Sequence, residues 1–140
     1  MKKIIALAAI CLGLALNASA QVDELTAAKR ARRQNLTVKE WNTDARTKTR
    51  WLDHQTTYDA QGRKIEEIEY AQYGQKWRRT FEYGENDKIN REVEYDDRDK
   101  PVAIRKYEYN SELKKTKQYN YGPNGKLLST KVFEYIIESE

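Results

Sequence analysis

Seven tyrosines recur at nearly constant spacing through residues 58–135 of this chain. The steps between them are 12, 13, 12, 14, 12 and 14 residues. In most of the units that they end, an acid precedes the tyrosine and an apolar residue stands two positions before it, as in Arg79-Thr80-Phe81-Glu82-Tyr83. The tyrosines are Tyr58, Tyr70, Tyr83, Tyr95, Tyr109, Tyr121 and Tyr135. Alternation at period two is typical of a β-strand, because successive side chains point to opposite faces.

Short runs of turn-forming residues separate the units, at 59–62, 84–87, 96–99 and 122–125. Gly, Asn and Asp adopt turn conformations at low cost, and loops this short cannot hold the crossover that parallel strands require. The pattern predicts an all-β fold: a single antiparallel β-meander of about eight strands, twisted or curled, with a short N-terminal helical or disordered lead.

Strict alternation within each unit would place its basic residue, its apolar residue and its tyrosine on one face, and its acids on the other. In the hairpin through 84–87, Tyr83 is expected opposite about Ile89, and Phe81 opposite about Arg91. The sequence thus predicts one aromatic and basic face, which we expect a second layer or a second copy to cover in part. Its ligand-face candidates are Trp41 (in the tyrosine place), Trp51, Trp77, Arg79, Phe81, Tyr83, Arg91, Tyr95, Arg105, Tyr107, Tyr109, Tyr119 and Tyr121.

The first twenty residues have the form of a secretory signal peptide. Two lysines precede an apolar run from Ile4 to Leu16, and Ala18-Ser19-Ala20 supplies a small-residue cleavage site. The remaining chain divides into an N-terminal lead at 21–34 and a repeat β-sheet domain at 35–137. We therefore expect export across the inner membrane, to a periplasmic or extracellular location, with no transmembrane segment after cleavage.

Composition narrows the possible partners and cofactors. Loss of the two lysines in the signal peptide lowers the net charge from +4 to +2, and Cys11, the single cysteine, is lost with them. A nearly neutral exported chain argues against nucleic acid as a partner. The partner stays open between self-association and an envelope protein or glycan, and no cofactor is indicated.

The chain holds little that resembles catalytic machinery. His54 is the one histidine, which excludes a multi-histidine metal site. With Asp53 or Asp59 it has the composition of a general base, but a surface role fits a lone strand histidine better. The acidic run Asp96-Asp97-Arg98-Asp99 has oxygen ligands for calcium, yet it is too short for a dedicated calcium loop and reads as a turn. We expect no metal site and no enzymatic activity.

The segment Tyr58-Asp59-Ala60-Gln61-Gly62-Arg63 resembles the YD repeats of large bacterial surface and toxin-shell proteins. Over about residues 35–136, the chain looks more like the small secreted β-meander families of unknown function found in Bacteroides-like bacteria. That resemblance implies a tyrosine-rich exported sheet protein and carries no catalytic residues. We expect a non-enzymatic binding or structural protein, with a glycan-binding module that uses exposed aromatic residues as the alternative.

Overall fold

The computed structural model describes residues 25–139, so the predicted signal peptide and residues 21–24 lie outside the described part. One short helix covers 25–31. Eight strands follow: β1 (Thr37–Thr43), β2 (Arg50–Tyr58), β3 (Lys64–Ala71), β4 (Gly74–Tyr83), β5 (Ile89–Tyr95), β6 (Pro101–Tyr109), β7 (Lys115–Tyr121) and β8 (Leu127–Val132). The predicted all-β class and the number of strands are confirmed.

The strands form one sheet in the order of the chain, from β1 to β8. The sheet is not closed, so β1 and β8 are its two edges among the described residues. The chain divides into two compact units: the described part of Met1–Leu36 with Tyr58–Arg63, and Thr37–Thr57 with Lys64–Glu140. The predicted meander is therefore present, and most of it belongs to the second unit.

In the first unit, the hairpin turn after β2 contacts the segment that precedes β1. Asn35 donates its N–H to the carbonyl oxygen of Asp59 at 2.9 Å, and the Arg33 guanidinium lies over the Tyr58 ring at 5.3 Å. Gly62 has a φ of +74°, and a Cβ at this position would collide with the Arg30 carbonyl group. Gly62 is therefore required for two reasons, its left-handed backbone and this close approach.

Five hairpin turns share one backbone geometry, at 59–63, 84–88, 96–100, 110–114 and 122–126. In each, the first residue donates its N–H to the carbonyl of the fifth, and the fourth donates to the carbonyl of the first. The fourth residue has a positive φ in every case: Gly62, Asp87, Asp99, Leu113 and Gly125. This is a type I turn followed by a left-handed residue, the commonest three-residue hairpin loop.

An Asp or Asn side chain accepts further hydrogen bonds from backbone N–H groups in each turn. Where the first residue is Asp or Asn, its Oδ1 accepts from the third and fifth residues, as Asp96 does from Arg98 and Lys100, both at 2.9 Å. Where the first residue is Gly, an Asn at the third position accepts from the fifth, as Asn86 does from Lys88 at 3.0 Å. The turn residues in the sequence therefore fill complementary positions.

A one-residue bulge accompanies the tyrosine at or near the end of β3, β4, β5, β6 and β7. The register shifts directly before Tyr70, Tyr83, Tyr95, Tyr109 and Tyr121, and also before Trp41 in β1. Tyr83 pairs with Ile89, as predicted, but Phe81 pairs with Glu92 rather than Arg91. The prediction for Phe81 was wrong because Asn90 is the extra residue, and a shift of one residue moves every side chain to the other face.

The apolar residue and the tyrosine of one unit consequently lie on the opposite face of the sheet from those of the next unit. The predicted single aromatic face therefore does not exist. We call the side that carries Phe81 the front face and the other the rear face. Directly paired residues share a face, which fixes both sets. The front face holds Glu67, Trp77, Arg79, Phe81, Glu92, Glu94, Arg105, Tyr107 and Lys131. The rear face holds Ile68, Arg78, Arg91, Val93, Tyr95, Ile104, Tyr119 and Tyr121.

Very few side chains are buried, because the described sheet is a single layer. Thr56, Ile68, Phe81 and Val93 are the buried side chains of the described core. They come from β2, β3, β4 and β5 in turn, and each stands two positions before a tyrosine. Every residue of β1 and β8 is exposed. The core is therefore a row across the middle strands and does not reach the edges.

Candidate binding surface on the front face

Two glutamates and two arginines from three adjacent strands interlock on the front face. Arg79 Nε lies 3.2 Å from Glu94 and 3.7 Å from Glu92, and Arg105 Nη1 lies 3.3 Å from Glu92 and 3.6 Å from Glu94. The Glu92 side chain is only 13% exposed. Strict alternation predicted that the acids lie on the face opposite the aromatic residues, but the bulge places Glu92 and Glu94 on the same face as Phe81.

Tyr107 joins this cluster through its hydroxyl, which donates to Glu92 Oε2 at 2.9 Å. Burial of the ring and this hydrogen bond raise the pKa of Tyr107 to about 12. The phenol therefore stays protonated at any physiological pH and acts as a hydrogen-bond donor, not as a base or a nucleophile.

A pocket of about 240 Å³ opens beside this cluster, toward the loop between β4 and β5. It is lined by Tyr83, Asp87, Lys88, Ile89, Glu92, Tyr107, Tyr109 and Lys115. Lys115 holds its ammonium group 4.1 Å from the centroid of the Tyr107 ring. The pocket thus combines aromatic walls with two acidic residues, Asp87 and Glu92, and two basic residues, Lys88 and Lys115.

Backbone hydrogen bonds fix the two tyrosines that flank the pocket. Tyr83 donates its hydroxyl to the carbonyl of Lys64 at 2.7 Å, and Tyr109 donates to the carbonyl of Ile89 at 2.6 Å. Because both ends of each side chain are held, the rings do not have to be ordered when a ligand binds. Preorganisation of this kind lowers the entropic cost of association.

His54 lies between two glutamates on neighbouring strands. Its Nδ1 is 2.6 Å from Glu40 and its Nε2 is 3.1 Å from Glu67, so its partners are neither Asp53 nor Asp59, the residues considered for the less favoured general-base role. Burial alone would lower the pKa of His54, but the hydrogen bonds and charges of the two glutamates outweigh it and raise the pKa above its ordinary value. When it is protonated, His54 forms an ion-pair bridge between the two glutamates and so links three adjacent strands.

The acidic segment at 96–99 is a turn, as interpreted from the sequence. Hydrogen bonds from the Lys100 and Arg98 backbone hold the pKa of Asp96 below its ordinary value. Asp99 Oδ1 lies 2.8 Å from Arg78 Nε, and this contact likewise lowers the pKa of Asp99. Within residues 25–139, no group of three or more His, Cys, Asp or Glu side chains is placed to hold a metal ion.

The predicted ligand-face residues fall into two groups. The front face holds Trp51, Trp77, Arg79, Phe81, Tyr83, Arg105, Tyr107 and Tyr109, whereas the rear face holds Trp41, Arg91, Tyr95, Tyr119 and Tyr121. The contact between His54 and Glu67 relates β1 and β2 to the faces of the other strands. Sequence reasoning missed five of the eight residues that line the pocket: Asp87, Lys88, Ile89, Glu92 and Lys115. The placement of Ile89, Glu92 and Lys115 depends on where each bulge falls, and Asp87 and Lys88 belong to the turn. The regular step of the tyrosines was the available signal, but it does not reveal an extra residue in the partner strand.

No protein-family profile and no curated protein matches this chain. Among solved structures, it is similar to a chain in the crystal structure of the GtfA/B complex bound to UDP and GlcNAc, with 14% identity and a TM-score of 0.32. That alignment covers 67% of this chain and 19% of the other, so this chain spans about a fifth of the other's length. A likeness this distant carries no conclusion about function. None of the helices described here is long and apolar enough to cross a bilayer.

Proposed function

We propose that this chain is an exported, non-enzymatic binding protein whose ligand site is the front-face pocket. The pocket at Tyr83, Tyr107 and Tyr109 is the observation that carries the proposal, because rings held in advance beside paired charges form a recognition surface without reactive groups. The signal-peptide pattern and the tyrosine-ended repeats of secreted β-meander families support export and a role in the cell envelope.

The ligand class favoured by this pocket is a glycan. Flat apolar ring faces stack against the C–H faces of sugars, while hydroxyl groups pair with carboxylates and ammonium groups; Glu92 and Lys115 supply both kinds of group. The volume of about 240 Å³ lies just below the roughly 300–1,000 Å³ usual for small-molecule pockets. It therefore suits one sugar ring at a time, such as a terminal residue of a longer glycan.

A matched pair of lysine variants tests the proposal. Lys115 lies over the Tyr107 ring at 4.1 Å on the front face, and Lys106 lies over the Tyr121 ring at 5.4 Å on the rear face. The labelled chain, recovered after export, is applied to a glycan array, and the dissociation constant of the best hit is then measured by calorimetry. Lys115→Ala should weaken binding about tenfold, the equivalent of one charge-assisted contact, and Lys106→Ala should leave it unchanged.

Two results would overturn this assignment. Retention of no glycan above background on the array would remove glycans as the ligand class. Binding that is weakened equally by Lys115→Ala and Lys106→Ala would show that general positive charge, and not the pocket, holds the ligand. Circular dichroism of both variants verifies that the sheet is intact before affinities are compared.

A further inference from the structure

Two exposed strands end the sheet, and their outer backbone edges have no strand partner among the described residues. β1 pairs with β2 and β8 pairs with β7, and all residues of both edge strands are exposed. Leu127, Leu128 and Val132 on β8 are 48%, 68% and 63% exposed. Exposed apolar edge strands are templates for pairing with another strand.

The outer edge of β8 resembles the edge of β4 that pairs with β5 and the edge of β6 that pairs with β7, both in residue order and in the hydrogen bond of its final tyrosine. Residues 131–135 follow the order of 79–83, from a basic residue to a final Glu-Tyr pair. Tyr135 donates its hydroxyl to the carbonyl of Lys115 at 2.7 Å, as Tyr83 does to Lys64 and Tyr109 does to Ile89. In β4 and β6, a strand of the next unit occupies this edge.

β1 resembles β5, the strand that pairs with the corresponding edge of β4. The register of its pairing with β2 shifts between Glu40 and Trp41, just as the register of β5 with β6 shifts between Glu94 and Tyr95. Trp41 therefore stands where β5 has its tyrosine. The outer edge of β1 corresponds to the edge of β5 that pairs with β4.

We propose that β8 of one copy pairs antiparallel with β1 of a second copy, so that the sheet continues from chain to chain. The register of β4 with β5 transfers directly to this junction. Arg79 pairs with Glu94 in that register, which places Lys131 opposite Glu40 of the second copy.

The same transfer brings an apolar pair together. Phe81 pairs with Glu92 in the internal register, and the corresponding residues at the junction are Phe133 and Val38. Opposite charges and apolar residues that face each other directly across two strands both stabilise a sheet. The contact joins two different edges, so the association is head to tail, and each added copy leaves a free β1 edge and a free β8 edge unless the rotation between copies closes a ring.

A proline substitution tests the backbone part of the proposal. Phe133 donates its N–H inward to the Thr116 carbonyl, so the N–H of Thr130, three residues earlier, points to the outer edge by alternation. Thr130→Pro removes that outward donor and leaves the inward hydrogen bonds to β7 in place. In sedimentation from micromolar to millimolar protein concentration, the mean mass of the assemblies should rise steadily beyond that of two copies. Thr130→Pro should lower the association constant about tenfold.

A charge exchange tests the partner edge independently of proline. Lys131→Glu and Glu40→Lys should each weaken self-association about five- to tenfold, because each places like charges opposite one another at the junction. An equimolar mixture of the two variants should regain growth, since every junction between unlike copies again joins a lysine to a glutamate. Circular dichroism establishes that each variant keeps its sheet before mixing.

Three results would overturn the proposal. One is a chain that stays monomeric at millimolar concentration. Another is a dimer that is affected by Lys131→Glu but not by Glu40→Lys, which would indicate pairing of β8 with β8. The third is a mixture of the two charge variants that grows no better than either one alone.

Discussion

Leu113 has the backbone conformation that least suits its side chain. It is the fourth residue of the turn at 110–114, with a φ of +62°, where the equivalent turns have Gly or Asp. A left-handed conformation costs an L-residue with an apolar side chain roughly 1–2 kcal/mol. Leu113 is also 46% exposed, so it gains little from burial in return.

We expect Leu113→Gly to stabilise the protein by about 0.5–1 kcal/mol, as the relief of strain exceeds the added freedom of the unfolded chain. The free energy of unfolding from a denaturant titration is the measurement. Gly125 is the matched control, because it occupies the same turn position and a Cβ there would meet nothing within 4 Å. Gly125→Leu should cost a similar amount, and destabilisation by Leu113→Gly would show that the leucine packs in solution.

His54 gives the protein a predicted dependence of stability on pH. The pKa of His54 is raised above 6.5, so its contribution is complete below pH 6.5 and is lost as the pH rises through the folded value. The pKa of Glu67 is lowered from 4.5, although burial opposes this, because Lys64 and His54 favour its charged form. The contribution of Glu67 is therefore present above pH 4.5 and is lost as the pH falls through the folded value.

We accordingly expect stability to be greatest between about pH 4.5 and 6.5, and to fall by about 0.5–1 kcal/mol at higher pH, in keeping with the modest strength of partly exposed ion pairs. Chemical denaturation across pH 4–9 measures this profile. His54 is the one histidine, so His54→Gln should flatten the fall above pH 6.5. If the variant kept the same fall, another group would have to be responsible.

Within each strand, the tyrosine has a role that depends on which face it occupies. The front-face tyrosines Tyr83, Tyr109 and Tyr135 bind a carbonyl oxygen of the neighbouring strand, with O–O distances between 2.6 and 2.7 Å. On the rear face, Tyr95 instead lies beneath the Arg78 guanidinium at 4.0 Å. Front and rear tyrosines should therefore respond differently to loss of the hydroxyl.

We expect Tyr109→Phe to lower the free energy of unfolding by about 1 kcal/mol, because the Ile89 carbonyl loses a half-buried donor. Tyr95→Phe should change it by less than about 0.5 kcal/mol, since a phenyl ring still accepts the guanidinium. Thermal or denaturant unfolding of the two variants in parallel provides the comparison. Equal losses in both variants would contradict the assignment of the hydroxyl bond to the front face.

The strands and turns were predictable from local chemistry, whereas the pairing between strands was not. The tyrosine spacing and the Gly, Asn and Asp turns located eight strands, because period-two alternation and left-handed turn residues are local properties. The faces were wrong because one extra residue, such as Asn90 in β5, reverses every pairing beyond it. The residues of the candidate site were the least predictable, because Glu92 is in the cluster only as a result of its pairing with Phe81 and Arg105.

Stability across the whole sheet should be uneven because the core is uneven. The four buried side chains come from β2 to β5, and none comes from β1, β6, β7 or β8. A single layer gives each strand only its two neighbours for support, so local opening need not break contacts across the sheet. The edges, which the proposed junction uses, therefore lie in the least protected part of the fold.

Hydrogen exchange at low micromolar concentration, where copies stay apart, should reveal this gradient. We expect amides in β4 and β5 to exchange at least about 100-fold more slowly than those in β8, since opening the middle strands exposes the buried row. Val93→Ala, at a site only 3% exposed, should cost about 1–3 kcal/mol and speed exchange in β4 and β5 together. Val132→Ala, at a site 63% exposed, should leave the middle strands unchanged. Uniform protection across all eight strands would mean that the sheet opens as one unit, and the edges would then be no less protected than the strands of the buried row.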